Sequence, residues 1–392
     1  MATIKPFKGI HPNYNNAGDV VLSLENLSLD EAKVIRQENP YSYVNMLVPK
    51  LDNLFLLGSK VELAYKKINE NLDDFISEGI LIQDSQPSIY VYQIDKNGKL
   101  QTGIWTLTSI DDYLKQVVKK HELTRPDREK SLINYLQQTG IDANPVLITY
   151  QPVPIIDLIL ADITKNKADL AFFNNNALHK LWIIDKEIAI NSIVSAFEGL
   201  SSTYIADGHH RASAASLFGL KRRKLNKQAQ HNEEFNFFTS VYMSTDQLKI
   251  DGFNRLIKTL NGLTPSEFLN QLLKYFELSK SECKVTPAEI HEFGMYLAGE
   301  WYHLKAKAEI RTGDSTIVEL DVSILQNYIL SEILNFSDPR TDPSITYLSA
   351  LLPIEDLVSK VDRGEFAIAF TLFPTSIDQI IRVADRGEVM PP

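Results

Sequence analysis

The sequence predicts an α/β (α+β) chain, and three observations carry that expectation. Short β-rich apolar runs alternate with segments of helical periodicity along the whole length. Residues 203–213, TYIADGHHRAS, pass from an apolar β-rich run through a glycine turn into small residues and good helix formers. The composition is that of a folded globular protein, with 44% hydrophobic and 23% charged residues in 392 positions, enough for more than one domain.

Taken in order, residues 1–20 read as irregular. Ser28, with Glu31 three positions on, is a capping box that opens a helix, and Asn39-Pro40 ends it. Residues 43–48 read as a strand, and 62–78 as a helix with Leu63, Ile68, Leu72 and Phe75 at helical spacing. Residues 88–94 and 100–107 form a hairpin about Asn97-Gly98. A helix capped by Ser109 is expected to run to Lys120, followed by the polar cluster His121-Glu122-Leu123-Thr124-Arg125 and a helix over 129–139. Strands follow at 144–150 and 178–184, with helices at 155–161 and 186–197. After the central turn a helix is expected to stop at Gly219, leaving 221–236 as a charged loop before a buried strand at 237–243. Residues 248–255 lead towards a helix near Ile257. A separate α/β region starts with a helix capped by Thr264 or Ser266. It continues with strands at 301–310 and 316–322, a helix at 322–334, a rigid loop at 338–343, a strand at 366–373 and a last helix at 377–385. The regions are drawn as 1–150, 151–260 and 261–392. No repeat or low-complexity tract appears.

Charge and cysteine content narrow the function classes. Lys plus Arg number 40 against 50 Asp plus Glu, a net charge of −10, which argues against broad nucleic-acid binding because that rests on basic residues neutralising phosphates. The single Cys283 forms no intramolecular disulfide, as expected of a cytosolic chain. The opening MATIKPFKGIHP lacks the apolar core of a signal peptide. No run approaches the roughly eighteen apolar residues of a membrane span. The expectation is a cytoplasmic protein without a membrane partner.

The chemistry concentrates at the central turn. Gly208 permits unusual backbone angles. The following helix N-terminus favours anions such as phosphate, and His209, His210 and Arg211 add donors beside it. Asp207 either caps backbone N–H groups or holds Mg²⁺ at a nucleotide. The two histidines either pack and hydrogen-bond or bind a ligand. One cysteine and no second histidine pair argue against zinc. Glu122 is either a solvated acid or the general base that phosphoryl transfer to an alcohol needs. Arg125 and Arg128 either bind an anionic group or solvate the loop, and Lys221-Arg222-Arg223-Lys224 is either a solvated helix end or a nucleic-acid contact. Asp338, Arg340 and Asp342 are read as a structural loop, and Trp105, Trp182 and Trp301 as core. Nothing marks Cys283 as a nucleophile. The sequence holds no Walker-type or G-x-G-x-x-G phosphate loop.

Tyr204-Ile205-Ala206-Asp207-Gly208-His209-His210-Arg211, with Ala214-Ala215 and Gly219 behind it, resembles the signature of the ParB/sulfiredoxin-like superfamily. That group includes chromosome-partitioning CTPases, sulfiredoxin and free-serine kinases. The whole chain resembles domain-of-unknown-function family 1015 within it. Lys5-Pro6-Phe7-Lys8-Gly9, Asn39-Pro40-Tyr41-Ser42, His121-Glu122-Leu123-Thr124 and the stretch from Val383 to Pro391 are similar to further family motifs. The resemblance implies a ParB/sulfiredoxin-like core on a mixed sheet with helices, with N-terminal and C-terminal α/β extensions. It implies a Mg²⁺-dependent phosphotransferase using ATP or ADP (or CTP) and a small hydroxylated acceptor such as serine. Gly208, His209, His210, Arg211, His121, Thr124 and Arg125 would bind the nucleotide. Asp207, Glu122 and His209 would be catalytic, with Asp207 on the metal. A nucleotide-gated regulatory module, with homo-oligomers responding to nucleotide, is the alternative, and a nucleic-acid binder a more distant one. Three departures bear on turnover: Gly18-Asp19-Val20 stands where the family has P-Y-D-V, Asn254-Arg255 where it often has a histidine before the arginine, and the sequence stops at Pro392 without a Lys/Ser/Thr-rich tail.

Overall fold

Contacts in the computed structural model, which describes residues 1–21, 27–47, 59–226, 228, 230–337, 342–350 and 352–391, divide the chain into two units. The first is Met1–Lys119 with Thr124–Leu248, the second Lys120–Leu123 with Lys249–Pro392. The sequence reading drew three regions. The first unit runs on past residue 150 because strands from both sides of that point share one sheet.

In chain order the first unit comprises β1 (Ile4–Lys5), β2 (Ile10–Pro12), α1 (Ala17–Val20), α2 (Leu29–Glu38), α3 (Ser59–Ser77), β3 (Leu81–Gln83), β4 (Ile89–Lys96) and β5 (Lys99–Ser109). It continues with α4 (Ile110–Leu114), β6 (Val118–Lys119), α5 (Pro126–Thr139), β7 (Val146–Tyr150), α6 (Pro154–Ile163), β8 (Leu170–Asn174) and β9 (Ala177–Ile184). Last come α7 (Glu187–Glu198), β10 (Thr203–Asp207), α8 (His209–Leu225) and β11 (Phe237–Ser244). Among the described residues these strands build a nine-stranded sheet in the order β6-β10-β7-β11-β5-β4-β9-β8, with β1 on β5. It is mixed, as expected: β10 runs parallel to β6 and β11 parallel to β7, and the other pairs are antiparallel. Strand alternation sorts the two faces. Ile104, Phe238 and Tyr242 share one core with Phe197 of α7, where Thr108 Oγ1 lies 2.8 Å from both Ser240 Oγ and Tyr242 Oη. Trp105, Leu107, Thr239 and Val241 lie on the opposite face.

The second unit holds β12 (Phe253–Ile257), α9 (Pro265–Leu272), β13 (Phe276–Ser281), β14 (Glu292–Leu297), β15 (Glu300–Ala306), α10 (Asp321–Ile324), β16 (Ile345–Ser349), α11 (Ile354–Asp362), β17 (Ile368–Leu372) and α12 (Ile377–Asp385). Its six-stranded sheet, β13-β15-β14-β17-β12-β16, is antiparallel throughout. Among the described residues no helix is long and apolar enough to cross a membrane.

Several expectations are corrected. Residues 43–46 form a 3₁₀ turn, because side chains rather than a neighbouring strand satisfy the backbone: Arg36 donates to Val44 O at 2.9 Å and Asn71 to Asn45 O at 2.9 Å. Residue 48 lies outside the described residues, as do 338–341 of the expected rigid loop and Pro392. The helix capped by Ser109 ends at Leu114, since Gln116 takes φ 59° and turns the chain into β6. Gly219 is no stop. The helix α8 runs through it to Leu225, and an added Cβ would collide with Phe235 O and come within 2.5 Å of Ile110 Cδ1. Here glycine serves close packing of a helix on its neighbours. The supposed helix near Ile257 is β12, and Leu256 and Ile257 are both fully buried in different cores; a strand covered on both faces loses the alternation that marks it. Residues 316–319 form turns rather than a strand, with Thr316 N–H donating to Glu388 at 3.1 Å. The strand from 301 ends at Ala306. The helix from 322 is largely π-helical, over Leu325–Ile333.

Candidate functional site

The turn between β10 and α8 is built by local rules that the residues dictate. A β-bulge between Ile205 and Asp207 against β7 shifts the register just before the strand ends, and bulges re-aim the side chains that follow. Gly208 then takes φ 99°, ψ 27°, a left-handed conformation costly for any residue with a Cβ. A Cβ there would also lie 2.9 Å from the Arg211 guanidinium, which folds back over the glycine. The helix starts at His209 with no side-chain cap. Its first intrahelical bond is Ala212 N–H to Gly208 O, at 3.0 Å, so the amides of residues 209–211 have no acceptor inside the helix. The opening lies at His209, directly after the glycine.

The side chains around this opening are held by the α5 and β7 ends. Asp207 is largely exposed and pairs with Arg211. The same guanidinium donates to Asn144 Oδ1 at 2.5 Å, to Asn144 O at 3.2 Å and to Pro145 O. His210 Nε2 accepts the Arg125 backbone N–H at 3.0 Å, which places the neutral ring's proton on Nδ1. Glu129 Oε1 accepts both the Thr124 and the Ser213 hydroxyl at 2.5 Å, joining the start of α5 to α8. Arg125 pairs with Asp127 at 2.8 Å, and the guanidinium holds the Asp127 carboxyl below its ordinary value. His209 is buried at 4% exposure, which suits packing beneath the helix opening.

The structure therefore brings Asp207, Gly208, His209, His210, Arg211, Thr124 and Arg125 to one turn of the first unit. His121 and Glu122 belong to the second unit. There His121 is buried and its carbonyl accepts the Met390 N–H at 2.8 Å, so the near-terminal motif straps the His-Glu pair. Glu122 is exposed. Asn254 and Arg255 are buried on β12. The Arg255 guanidinium lies 4.5 Å over the Tyr347 ring and donates to Phe253 O, and burial lowers its pKa to about 10. Of the basic run, Arg223 grips Asp111 at 2.7 and 3.1 Å and Asn236 at 2.6 Å, while Lys221 reaches Gln137. Among the described residues no group of three His, Cys, Asp or Glu is placed to hold a metal. Sequence reasoning missed Asn144 and Glu129, whose partners lie 67 and 84 residues away.

The family described as "Protein of unknown function (DUF1015)" matches residues 4–323. No curated protein matches the chain. Among solved structures, a free serine kinase variant in complex with AMP is similar at 15% identity and a TM-score of 0.37, covering 73% of this chain and 85% of that one. A variant in complex with ADP gives 15% and 0.38, covering 73% and 84%. A conserved hypothetical protein from Pyrococcus furiosus gives 15% and 0.36, covering 73% and 88%.

Proposed function

The chain belongs to the DUF1015 family, and on that footing we propose that its β10–α8 turn binds the phosphates of a nucleotide and that the protein transfers a phosphoryl group to a small hydroxylated metabolite, serine first among them. One observation carries this reading: α8 opens uncapped behind a left-handed glycine, with Arg211 laid across it. Backbone amides at such an opening meet an anion with aligned dipoles and no reorganisation. The chain's own residues then divide the work. Gly208 lets the phosphate approach the backbone, His210 offers a fixed tautomer, and Arg211 supplies charge from a position set by Asn144. Mg²⁺ neutralises phosphate charge when it enters with the nucleotide. Asp207 is the residue that would hold it, since one exposed carboxylate plus phosphate oxygens meets the ion's habit of taking few protein ligands. In the transfer the acceptor oxygen forms a bond to the terminal phosphorus as the bond from that phosphorus to the nucleotide breaks. The acceptor's proton goes to a carboxylate, and Glu122, two residues before Thr124 in sequence, enters as that base on its sequence position alone.

The test is calorimetric titration of the full chain with ATP, ADP and CTP in Mg²⁺, followed by ³¹P NMR with serine present. Binding of at least one nucleotide and appearance of phosphoserine are expected. Binding without any product from serine, threonine or homoserine would overturn the transferase. A second reading, a nucleotide-binding regulatory module, is favoured by the Arg211–Asp207 pair, which engages the carboxylate that a metal would need. It predicts binding without product and a nucleotide-dependent change in light scattering. No nucleotide binding at all sinks both.

A further inference from the structure

A cavity of about 1030 Å³ lies within the first unit, against the sheet face opposite α7, and the turn at Gly208 does not line it. Its floor is Trp105, Leu107 and Val241, and Phe75 of α3 and Phe218 of α8 close over it. One of the stretches that resemble family motifs, residues 5–9, builds part of its wall. Phe7, Lys8 and Gly9 line it, fixed by the Gly9 N–H donating to Tyr90 Oη at 2.7 Å and by the Phe7 ring 5.0 Å from that of Tyr90. Tyr43, directly after residues 39–42, also lines it. The volume is at the upper end of small-molecule sites.

Two acids line this space, Asp142 and Glu234, together with His11 and the cations Lys8 and Arg222; Lys8, Arg222 and Glu234 are exposed, and Asp142 is the half-buried acid. Asp142, in the loop between α5 and β7, lines the cavity. Its Oδ2 accepts the Thr239 N–H at 2.9 Å and its carbonyl the Thr239 hydroxyl at 3.3 Å. Among the described residues it has no ion pair. Arg211, the cation that acts on it, is held by Asp207 and Asn144. The remaining groups that act on it are the phenols of Tyr43 and Tyr135, which share a hydrogen bond. Burial keeps the Asp142 carboxyl above its ordinary value. With Arg211 engaged by Asp207 and Asn144, and with Lys8 and Arg222 exposed where they line the cavity, the half-buried Asp142 carboxyl can take a cation, and an apolar cavity rewards a hydrocarbon body.

We propose that this cavity binds an organic amine with an apolar body, its ammonium on Asp142 and its body against Trp105, Leu107 and Val241. The aromatic faces of Tyr43 and Trp105 suit a cation as well, and so does the acidic chain, at a net charge of −10. The ammonium pairs with the ionised carboxylate, so affinity falls as acid protonates Asp142, and burial moves that fall upward from the ordinary carboxylate range. Its test reads amine binding alone, so this proposal and the nucleotide reading fail by different measurements, although Asn144 and Pro145 line the cavity and also hold Arg211.

The test titrates the full chain with dodecylamine, dodecanol and dodecanoate, each below its micelle concentration, following Trp fluorescence and native mass spectrometry. Wild type is expected to take one dodecylammonium at least tenfold more tightly than either of the others. Asp142→Asn, which keeps an acceptor for Thr239, is expected to bind dodecylamine and dodecanol within threefold of each other, with an unchanged far-UV spectrum. No binding by wild type, equal affinity for the three probes, or an undiminished preference in the variant would each overturn the proposal. If the variant does not fold, the three-probe comparison on wild type decides.

Discussion

The two units solve the same problem, a sheet covered by helices, in ways that leave different chemistry behind. The second unit is antiparallel throughout, and on its strand β12 the buried Arg255 stacks over Tyr347. The first unit contains two parallel pairs. Parallel strands need crossovers, and a helix leaving the end of a strand presents its amides at the sheet edge. Asp207 ends β10, and α8 opens at His209 behind the left-handed Gly208. On the proposed reading, that turn is what would give the first unit a place for an anion.

The sharpest way to break this contrast is a pair of glycines. Gly208 and Gly299 both have positive φ, at 99° and 83°. A Cβ at Gly299 would meet nothing within 4 Å, whereas at Gly208 it would lie 2.9 Å from the Arg211 guanidinium. Valine at either position imposes a backbone strain of about 1–2 kcal/mol. Gly208→Val is expected to lower nucleotide affinity at least a thousandfold by calorimetry. Gly299→Val is expected to cost stability alone and leave binding unchanged. Equal effects on binding would mean the left-handed turn acts only through folding.

A smaller effect separates the units by their buried acids. Asp321 opens α10, is 6% exposed, and accepts the His291 N–H at 2.8 Å. Burial pushes its pKa up to about 7. A raised carboxyl binds its proton more tightly in the folded state, so its contribution is complete below the unfolded value near 4 and is lost as pH rises through about 7. Three pKa units correspond to about 4 kcal/mol as an upper bound, at about 1.4 kcal/mol each. Asp321→Asn is expected to match wild type at pH 4 and to exceed it by about 2–3 kcal/mol at pH 8, read from amide exchange in β14. A gain that does not depend on pH would refute the assignment.

What the sequence allowed to be read follows the same division between local and distant causes. The capping box at Ser28–Glu31 is where the residues put it, and of the two caps offered for the later helix, Thr264 and Ser266, Thr264 takes the place and forms a box with Glu267; a cap is decided within four positions. Gly208 could be placed for the same reason. Gly219 could not, since a glycine that ends a helix and one that lets a helix pack closely look alike until Phe235 and Ile110 are in place. The α8 turn was legible as a motif, but its support was not. Arg125 fixes His210 from 85 residues away, and Asp142 meets Thr239 across 97. Nothing in the string Ile141-Asp142-Ala143-Asn144 marks an acid that will line a cavity.

The smallest predicted effect concerns how Arg211 is held. Its guanidinium spans Asp207 on one side and Asn144 with Pro145 on the other, a span that needs the planar fork. Lysine keeps the positive charge but offers a single ammonium, which reaches one side at a time. If charge alone matters at the helix opening, Arg211→Lys will bind nucleotide like wild type. If the fixed position matters, affinity falls about tenfold, or about 1.4 kcal/mol. Asn144→Ala, which removes one acceptor and no charge, should then weaken binding in the same direction by less. In the second unit Arg255 is held differently, buried and stacked on Tyr347, and Arg255→Lys should change the melting temperature while nucleotide affinity stays put. Loss of nucleotide affinity in Arg255→Lys alone would place the anion site in the wrong unit.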